Sequence, residues 1–278
     1  MDQKDLKLKN QPKLFFLFFA LIFTFKCTQA DKINYIPMSW SKFELKLPKG
    51  IEIYSGSNND IPLRAWVAKV DLNDDKIYAE ILSSSDKDHK DSPSQFLEKT
   101  GARLVMNGGF FNDDKTPIQH VGLLKTSGIL EEPASHSIYR DSERFFISRG
   151  AFGIHQNGKV DIAWCSTKND SIFQWDRPLI NRPGYPNSSI SFANANYWDV
   201  HDAIHAGPVL ISEGKIDLTL EDEVFFNTPV AGIQPRSAIG YNKDGRISRI
   251  HDYDMLKPGE NGKPILISII KATGSLIA

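Results

Sequence analysis

Three short segments of the sequence combine glycines with side chains that can bind an anion or move a proton. They are Asn107-Gly108-Gly109-Phe110-Phe111-Asn112, His205-Ala206-Gly207-Pro208-Val209-Leu210 and Pro235-Arg236-Ser237-Ala238-Ile239-Gly240. Each segment lies at the end or start of an apolar run typical of a β-strand, where a rigid sheet can hold backbone amides against a small ligand. The sequence therefore predicts one binding site, built from loops at strand ends.

In the first segment, Gly108 and Gly109 allow positive φ and let backbone N–H groups approach an anion closely. Asn107 can both donate and accept hydrogen bonds. We assign Asn107 to catalysis, and Gly108, Gly109 and Phe110 to substrate binding. A tight turn that closes over a core is the alternative interpretation.

In the second segment, Gly207 permits a close backbone approach and Pro208 fixes the direction of the departing strand. We assign both to substrate binding, and we expect them to aim His205 into the site. An imidazole there could carry a proton near neutral pH or donate a hydrogen bond to phosphate. A catalytic and a purely structural histidine remain open at this point.

Arg236 is the strongest single candidate for catalysis. A guanidinium binds phosphate oxygens through two parallel hydrogen bonds and stays charged throughout the useful pH range. Pro235 before it and Ala238-Ile239-Gly240 after it favour a fixed place at a strand start, with Ser237 beside the substrate. The alternative is a surface ion pair.

The elements around these segments are mainly strands. Four turn sequences lie between apolar or β-branched runs, as hairpin loops do: Thr126-Ser127-Gly128, Gln156-Asn157-Gly158, Ser212-Glu213-Gly214 and Lys243-Asp244-Gly245. Further strands are expected over 63–70 and 76–82, joined by a polar turn over 71–75.

One helix signal precedes the first segment. Ser92 can cap the helix, Pro93 suits its first position, Gln95 completes a capping box and Gly101 can end it. A strand over 103–106 should follow and deliver Asn107 to the end of the sheet. We therefore predict an α+β fold with a predominantly antiparallel, twisted sheet, hairpins and a few helices.

In their order and spacing, the three segments resemble the phosphodiester glycosidase family, and His120-Val121-Gly122-Leu123 and Ser127-Gly128 match its Gly-Leu and hairpin-glycine pattern. The resemblance covers about residues 100–246. It implies hydrolysis of the bond between a sugar's anomeric carbon and a phosphodiester, of the alpha-N-acetylglucosaminyl type. The implied partner is a glycan phosphodiester or a nucleotide-sugar-like molecule, and no cofactor is implied.

The sequence departs from the family after Arg246. The family's apolar strand ending in Asp-Gly and its Leu-Asp-Gly-Gly-Gly-Ser signature do not occur, and Asp252 and Asp254 are out of register with the first of its aspartates. The C-terminal part is thus either truncated or divergent, and a catalytic carboxylate is not identified. Two functions follow as alternatives: an exported hydrolase, or an inactive envelope protein that binds carbohydrate phosphate.

Residues 1–30 predict an export signal, because a lysine-bearing start precedes the apolar run over 14–25. About twelve apolar residues are too few to span a bilayer comfortably. Cleavage after Ala30 is one interpretation; lipidation at Cys27, which would tether the protein to a membrane, is another; an uncleaved anchor is a third. We expect a periplasmic, envelope-attached or extracellular protein. Residues 31–100 should add N-terminal strands and a helix to the glycosidase-like domain over 101–278.

Composition and charge reduce the number of functional classes to which the protein could belong. The chain has 278 residues, 41% of them apolar, and a net charge of −1, which does not favour nucleic-acid binding. Cys165 follows a strand-like run and is expected to be buried and unreactive. The acidic runs over 71–75, 86–91 and 221–223 are interpreted as solvated loops, with a structural calcium ion left open.

Overall fold

The part of the chain that the structure describes contains twenty-two strands, in keeping with its many β-branched and aromatic residues. The structure is a computed structural model. It describes residues 38–59, 63–232 and 236–242, together with the backbone of residues 246–249, 265–270 and 276–277. The leader predicted over residues 1–30 and the aspartates at 252 and 254 lie outside the described residues.

The strands are mostly short. The first eleven are β1 (Ser39–Lys42), β2 (Ile51–Asn58), β3 (Leu63–Asp71), β4 (Ile81–Leu82), β5 (Met106–Asn107), β6 (Phe111–Asn112), β7 (Gln119–His120), β8 (Leu124–Thr126), β9 (Ile129–Glu132), β10 (Ser137–Arg140) and β11 (Glu143–Phe146). The others are β12 (Arg149–Ile154), β13 (Val160–Lys168), β14 (Ser171–Trp175), β15 (Asn196–Tyr197), β16 (Asp202–His205), β17 (Val209–Ser212), β18 (Lys215–Ile216), β19 (Arg236–Tyr241), β20 (Arg246–Arg249), β21 (Ile265–Ile270) and β22 (Leu276–Ile277).

Two large sheets contain fifteen of these strands. One has eight strands in the order β1-β2-β3-β20-β19-β21-β17-β18, and the other has seven in the order β15-β14-β13-β12-β16-β8-β9. All the named strand pairs in both sheets are antiparallel. Three small sheets complete the fold: β4-β22-β5, β6-β7 and β10-β11.

Apolar side chains fill the space between the two large sheets. Phe152, Ile162 and Trp164 of the seven-stranded sheet pack in one buried cluster with Val209 and Ile239 of the eight-stranded sheet. A second cluster, which includes Ala151, Ala163 and Cys165, covers the opposite face of the seven-stranded sheet. Because side chains alternate along a strand, β12 and β13 each contribute residues to both clusters.

The described residues contain one α-helix, α1 (Pro93–Thr100), and one 3₁₀ turn, Pro229–Ala231. The predicted capping box is confirmed: the Gln95 amide donates to Ser92 Oγ, and the Ser92 amide donates to the Gln95 side chain. Gly101 ends the helix with a φ of 71°. The helical content is nevertheless lower than α+β implies, because most of the regular structure in the described residues is formed by strands.

The four predicted hairpins are each observed as antiparallel pairs: β8 with β9, β12 with β13, β17 with β18, and β19 with β20. The loop over 243–245 lies outside the described residues. β21 lies between β19 and β17, a position for which the sequence analysis had no strand.

Two strand predictions were too long. The strand expected over 76–82 is reduced to β4, because the turn continues through hydrogen bonds from the Lys76 amide to Asp74 Oδ1 and from the Ile77 amide to the Asp74 carbonyl. The strand expected over 103–106 is reduced to β5, which still places Asn107 at a strand end. No helix in the described part of the chain has the length and apolar character needed to cross a membrane.

Candidate functional site

Asn107 and Ser237 bring the first and third polar segments together. The Ser237 hydroxyl donates a 2.6 Å hydrogen bond to Asn107 Oδ1, across 130 residues of sequence. The Nδ2 atom of Asn107 is buried and has no hydrogen-bond partner in the part of the chain that the structure describes. Asn107 therefore keeps two donor hydrogens for a ligand, while its oxygen fixes the orientation of the amide.

His120, at the end of β7, has a defined tautomer and one unpaired ring nitrogen. Its Nδ1 lies 3.0 Å from the Gly122 carbonyl oxygen, which can only accept, so Nδ1 carries the proton. Nε2 is then an acceptor, and it is buried with no partner among the residues that the structure describes. Burial lowers the pKa of His120, which favours the neutral ring.

Gly109 lies against both histidines of the site. A Cβ atom at this position would lie 2.3 Å from the His205 carbonyl oxygen and 2.6 Å from His120 Nε2. Gly108 and Gly109 do not use the positive φ that glycine allows. The requirement for glycine at 109 is instead steric, because any side chain would collide with the backbone of β16 and with the His120 ring.

His205 is brought into this cluster but is buried beneath it, with 2% of its surface exposed. Its Nε2 lies 3.4 Å from Cys165 Sγ, and a Cβ on Gly122 would lie 2.6 Å from Nδ1. Burial lowers the pKa of His205 to about 3, and the nearby charges of Arg149 and His120 act in the same direction. The ring is therefore neutral near pH 7, which differs from the proton carrier that the sequence suggested as one alternative.

Cys165 is buried, as expected from its strand sequence. Burial raises the pKa of its thiol well above the ordinary value. Since the thiolate is the nucleophilic form, this thiol lacks the properties of a catalytic cysteine. Its role is to pack against the His205 ring.

Glu223 is a buried hydrogen-bond acceptor beside the second polar segment. Its carboxylate accepts hydrogen bonds from the Gly150 and Val209 amides (2.8 Å each), from Trp164 Nε1 (3.0 Å) and from the Thr219 hydroxyl (2.5 Å). Burial raises the pKa of Glu223, and these hydrogen bonds oppose that shift. Gly207, with a φ of 103°, precedes Pro208 and is packed so closely that a Cβ would lie 2.5 Å from Glu223 Oε2.

The acidic run over 221–223 is therefore not a solvated loop throughout, because Glu223 has no exposed surface. Asp91 in the run over 86–91 is also buried, where it accepts hydrogen bonds from Lys99 and Ser84. Both carboxylates are held by donors from the protein.

Arg236 is the first residue of β19 and is partly buried. Its guanidinium donates to the Gly232 carbonyl, and it forms no ion pair with a described residue. Side chains alternate along a strand, so Arg236 and Ser237 leave β19 on opposite faces. The structure thus joins Ser237, but not the Arg236 side chain, to Asn107.

A second arginine, Arg149, lies next to the cluster at the start of β12. Its guanidinium stacks 4.2 Å above the centroid of the Phe225 ring, and Phe225 in turn lies 5.8 Å from the Phe110 ring. Phe110 belongs to the Asn107 loop. The first polar segment is therefore connected through two aromatic rings to a guanidinium that the sequence analysis did not select.

Comparison with known proteins identifies the evolutionary group to which this arrangement belongs. A family model described as phosphodiester glycosidase matches residues 100–251, more than half of the 278-residue chain. The chain belongs to the phosphodiester glycosidase family. The match includes all three polar segments and His120, Arg149 and Glu223.

The fold also resembles a solved structure, the crystal structure of a hypothetical protein from Synechocystis. The TM-score is 0.52 at 12% sequence identity, and the match covers 88% of this chain and 60% of that chain. This chain therefore spans less than two thirds of that protein's length. The search of curated proteins returned no match.

The family segment contains a sequence signal that could have drawn attention to Arg149. Arg149-Gly150-Ala151-Phe152-Gly153 and Arg236-Ser237-Ala238-Ile239-Gly240 share the pattern Arg-x-Ala-apolar-Gly. Both arginines begin a strand of a large sheet. The sequence carries no comparable signal for Glu223, whose burial depends on contacts with three distant strands.

No described residues form a group of three or more metal-ligating side chains. The expectation of a cofactor-free family member remains a prediction.

An apolar cavity of about 220 Å³ lies beside Met106 and is also lined by Ile51, Val70, Leu82 and Ile239. None of the polar site residues lines it, so we place the candidate site at the strand ends and not in this cavity.

Proposed function

We propose that this protein is an exported hydrolase that cleaves the bond between the anomeric carbon of a sugar and the phosphate of a phosphodiester, with an alpha-N-acetylglucosaminyl group as the sugar. Family membership supports the reaction class. The particular sugar and the export of the chain come from the sequence resemblance and from the leader over residues 1–30.

The observation that carries the proposal is an unpaired donor on Asn107, in the loop that contains Gly109, and an unpaired acceptor on His120, whose ring lies against Gly109. Asn107 Nδ2 and His120 Nε2 are both buried, and neither has a hydrogen-bond partner among the described residues. Such atoms are uncommon in folded proteins because an unpaired buried polar group costs about 1–3 kcal/mol. A sugar offers hydroxyl groups that both donate and accept, and a water molecule placed for attack would donate to His120.

In the proposed reaction, His120 acts as the base. A water oxygen forms a bond to the anomeric carbon, and Nε2 takes the proton of that water. The bond from the anomeric carbon to the phosphate oxygen breaks, and its electron pair leaves with the phosphomonoester. The other proton stays on Nδ1, which donates it to the Gly122 carbonyl throughout, so the ring needs no rotation.

A phosphate leaving group is weakly basic, so it needs stabilisation of negative charge more than it needs a proton. The sequence assigned this task to Arg236, but the Arg236 side chain leaves β19 on the face opposite to Ser237 and donates to the Gly232 carbonyl. Another cationic side chain is therefore needed at the phosphate, while Asn107 and Ser237 orient the substrate. His205 is assigned a positioning role, because its backbone oxygen contacts Gly109 and its ring is neutral and buried.

Glu223 does not serve as the base in this proposal. Its two carboxylate oxygens are occupied by four protein donors, and the side chain is fully buried. Direct attack of a water molecule activated by His120 predicts inversion at the anomeric carbon.

The test is hydrolysis of a nitrophenyl N-acetylglucosaminyl phosphodiester, and separately of UDP-N-acetylglucosamine, by the purified mature chain. Free N-acetylglucosamine and the corresponding phosphomonoester should appear in equal amounts, and proton NMR should show the beta anomer first. An Asn107→Ala variant should remain folded, with a lower thermal midpoint because the Ser237 hydroxyl loses its acceptor, and should lose turnover. A correctly folded wild-type chain without turnover would reject the hydrolase and leave the alternative of an inactive carbohydrate-phosphate-binding protein.

A further inference from the structure

We infer that Arg149 is the residue that binds the phosphate of the substrate, through the two terminal nitrogens of its guanidinium. The inference takes the identity of the anion from the proposed function. The observations on Arg149 require only an oxyanion with two accessible oxygens, such as a phosphate mono- or diester.

The first argument is the lack of a protein acceptor for those nitrogens. Arg149 Nε donates a 3.2 Å hydrogen bond to the Glu223 carbonyl oxygen. In the described part of the chain, neither Nη1 nor Nη2 has a hydrogen-bond partner, and no carboxylate forms an ion pair with Arg149. The geometry leaves free the pair of parallel N–H groups with which arginine binds phosphate.

The nearby carboxylate does not fill this role. Glu223 directs its oxygens to Gly150, Val209, Trp164 and Thr219, and it offers Arg149 only its backbone carbonyl. Burial lowers the pKa of Arg149 to about 10, with the neighbouring Arg140 charge acting in the same direction and Glu223 opposing it. The guanidinium stays charged at neutral pH although its surroundings disfavour a positive charge. A bound anionic ligand would compensate that charge.

The second argument is position. In the seven-stranded sheet, Arg149 is paired with Cys165, and Ala151 is paired with His205. Paired residues and residues two apart share a face of a sheet, so Arg149, Cys165 and His205 lie on the same face. The guanidinium is thus at the end of the sheet where Gly109 contacts the His205 carbonyl.

The third argument is the aromatic support. Phe225 holds the flat side of the guanidinium at 4.2 Å and contacts Phe110 of the Asn107 loop at 5.8 Å. A ring on one face fixes the plane of the guanidinium, so less conformational freedom is lost when two oxygens bind. Arg236 lacks such support and is held by the Gly232 carbonyl of the preceding turn.

The experiment is titration of the purified chain with inorganic phosphate, followed by calorimetry and by the shift of the thermal midpoint. We expect Arg149→Met to weaken phosphate binding by about tenfold or more, as expected for loss of charged hydrogen bonds. Arg149→Lys should be intermediate, because it keeps the charge and loses the paired donors. Arg236→Met should bind phosphate within about twofold of the wild type.

Arg177→Met is the matched control. Arg177 also stacks on an aromatic ring, 5.6 Å from Trp164, but it is paired with Asp217. This variant should leave phosphate binding unchanged. Without phosphate, the midpoints of the wild type and of Arg149→Met serve as separate baselines for the phosphate-induced shifts, since the variant also loses the stacking on Phe225 and the hydrogen bond to the Glu223 carbonyl. If Arg149→Met does not fold, Arg149→Lys with unchanged phosphate affinity would overturn the inference.

The inference is also rejected if Arg149→Met binds phosphate as the wild type does, if the wild type does not bind phosphate, or if Arg236→Met alone loses binding. Its failure can be told from failure of the proposed function. Phosphate binding that depends on Arg149 in a chain without turnover would reject only the hydrolase. Turnover that survives Arg149→Met would reject only the assignment of Arg149.

Discussion

His120 has the properties of a base before any substrate is present. Its Nδ1 donates a hydrogen bond to the Gly122 carbonyl, and its Nε2 has no partner among the described residues. Burial lowers the pKa of His120 and so keeps the ring neutral. His205, 85 residues later, has a similar desolvated environment, but its Nε2 faces the Cys165 thiol. The two histidines therefore differ in the surroundings of Nε2, which faces a thiol in His205 and has no described partner in His120.

We predict that His120→Asn lowers kcat by about 10² to 10⁴, the usual contribution of a general base. The asparagine amide can replace Nδ1 as a donor to the Gly122 carbonyl, but it does not supply the Nε2 acceptor. Initial rates of sugar release should show the loss in kcat with little change in KM. The matched control is His155→Asn, because His155 Nδ1 also contacts a backbone carbonyl, that of Asp199, at 2.7 Å and outside the site. Equal losses in both variants would contradict the assignment.

Among the elements, the starts of β12 and β17 and the middle of β13 are joined by one carboxylate. Glu223 binds the Gly150 amide of β12, the Trp164 indole of β13 and the Val209 amide of β17. These strands belong to both large sheets. The loop that carries Glu223 also carries Phe225, so the same contacts determine where the Arg149 guanidinium rests.

We predict that Glu223→Ala lowers the free energy of unfolding by at least about 3 kcal/mol, because it leaves four buried donors without an acceptor. Denaturant unfolding followed by tryptophan fluorescence measures this change. Glu221→Ala is the control: Glu221 is exposed and paired with Arg182, so its loss should cost no more than about 1 kcal/mol. A similar small loss for Glu223→Ala would show that water replaces the carboxylate.

The approach of the Asn107 loop to β16 gives a second prediction at this scale. Gly109→Ala should abolish sugar release and lower the free energy of unfolding by about 1–3 kcal/mol, because the methyl group would overlap the His205 carbonyl oxygen. Gly232→Ala is a suitable control, since its Cβ would lie 3.5 Å from the nearest atom and its φ is −96°. Activity in a folded Gly109→Ala protein would mean that the loop adjusts without consequence.

For the whole molecule, buried histidines make stability depend on pH. The pKa of His205 is lowered to about 3 in the folded state, and that of His120 is lowered as well. In the unfolded chain both should titrate near pH 6.5, so the unfolded state binds more protons below that pH. Their contribution is complete above about pH 6.5 and is lost as the pH falls toward the folded pKa values.

We predict that the free energy of unfolding falls between pH 6.5 and pH 5, with each histidine adding a slope of up to about 1.4 kcal/mol per pH unit. The raised pKa of Glu223 acts in the opposite direction below neutral pH. Urea unfolding at several pH values should therefore compare the wild type with His205→Gln, whose slope should be smaller by about one proton. An unchanged slope in the variant would show that the His205 ring is not neutral in the folded protein.

Local sequence determined the parts of the fold that depend on neighbouring residues. The capping box at Ser92 and Gln95, the end of α1 at Gly101 and the positions of four hairpins follow from turn and cap chemistry within a few residues. The order of the three polar segments likewise indicated the family. Strand lengths near Asn107 were not predictable in this way, because β4 and β5 form by pairing with β22, more than 160 residues away.

The tertiary structure decided which of the polar residues act together. It joined Asn107 to Ser237 over 130 residues, placed Gly109 between two histidines, and separated the Arg236 side chain from that cluster because neighbouring strand residues point to opposite faces. It also placed Arg149 beside the Asn107 loop through Phe110 and Phe225. A sequence specifies which groups are available and which local turns can form, whereas burial, pairing and unpaired atoms depend on distant segments that meet only in the folded chain.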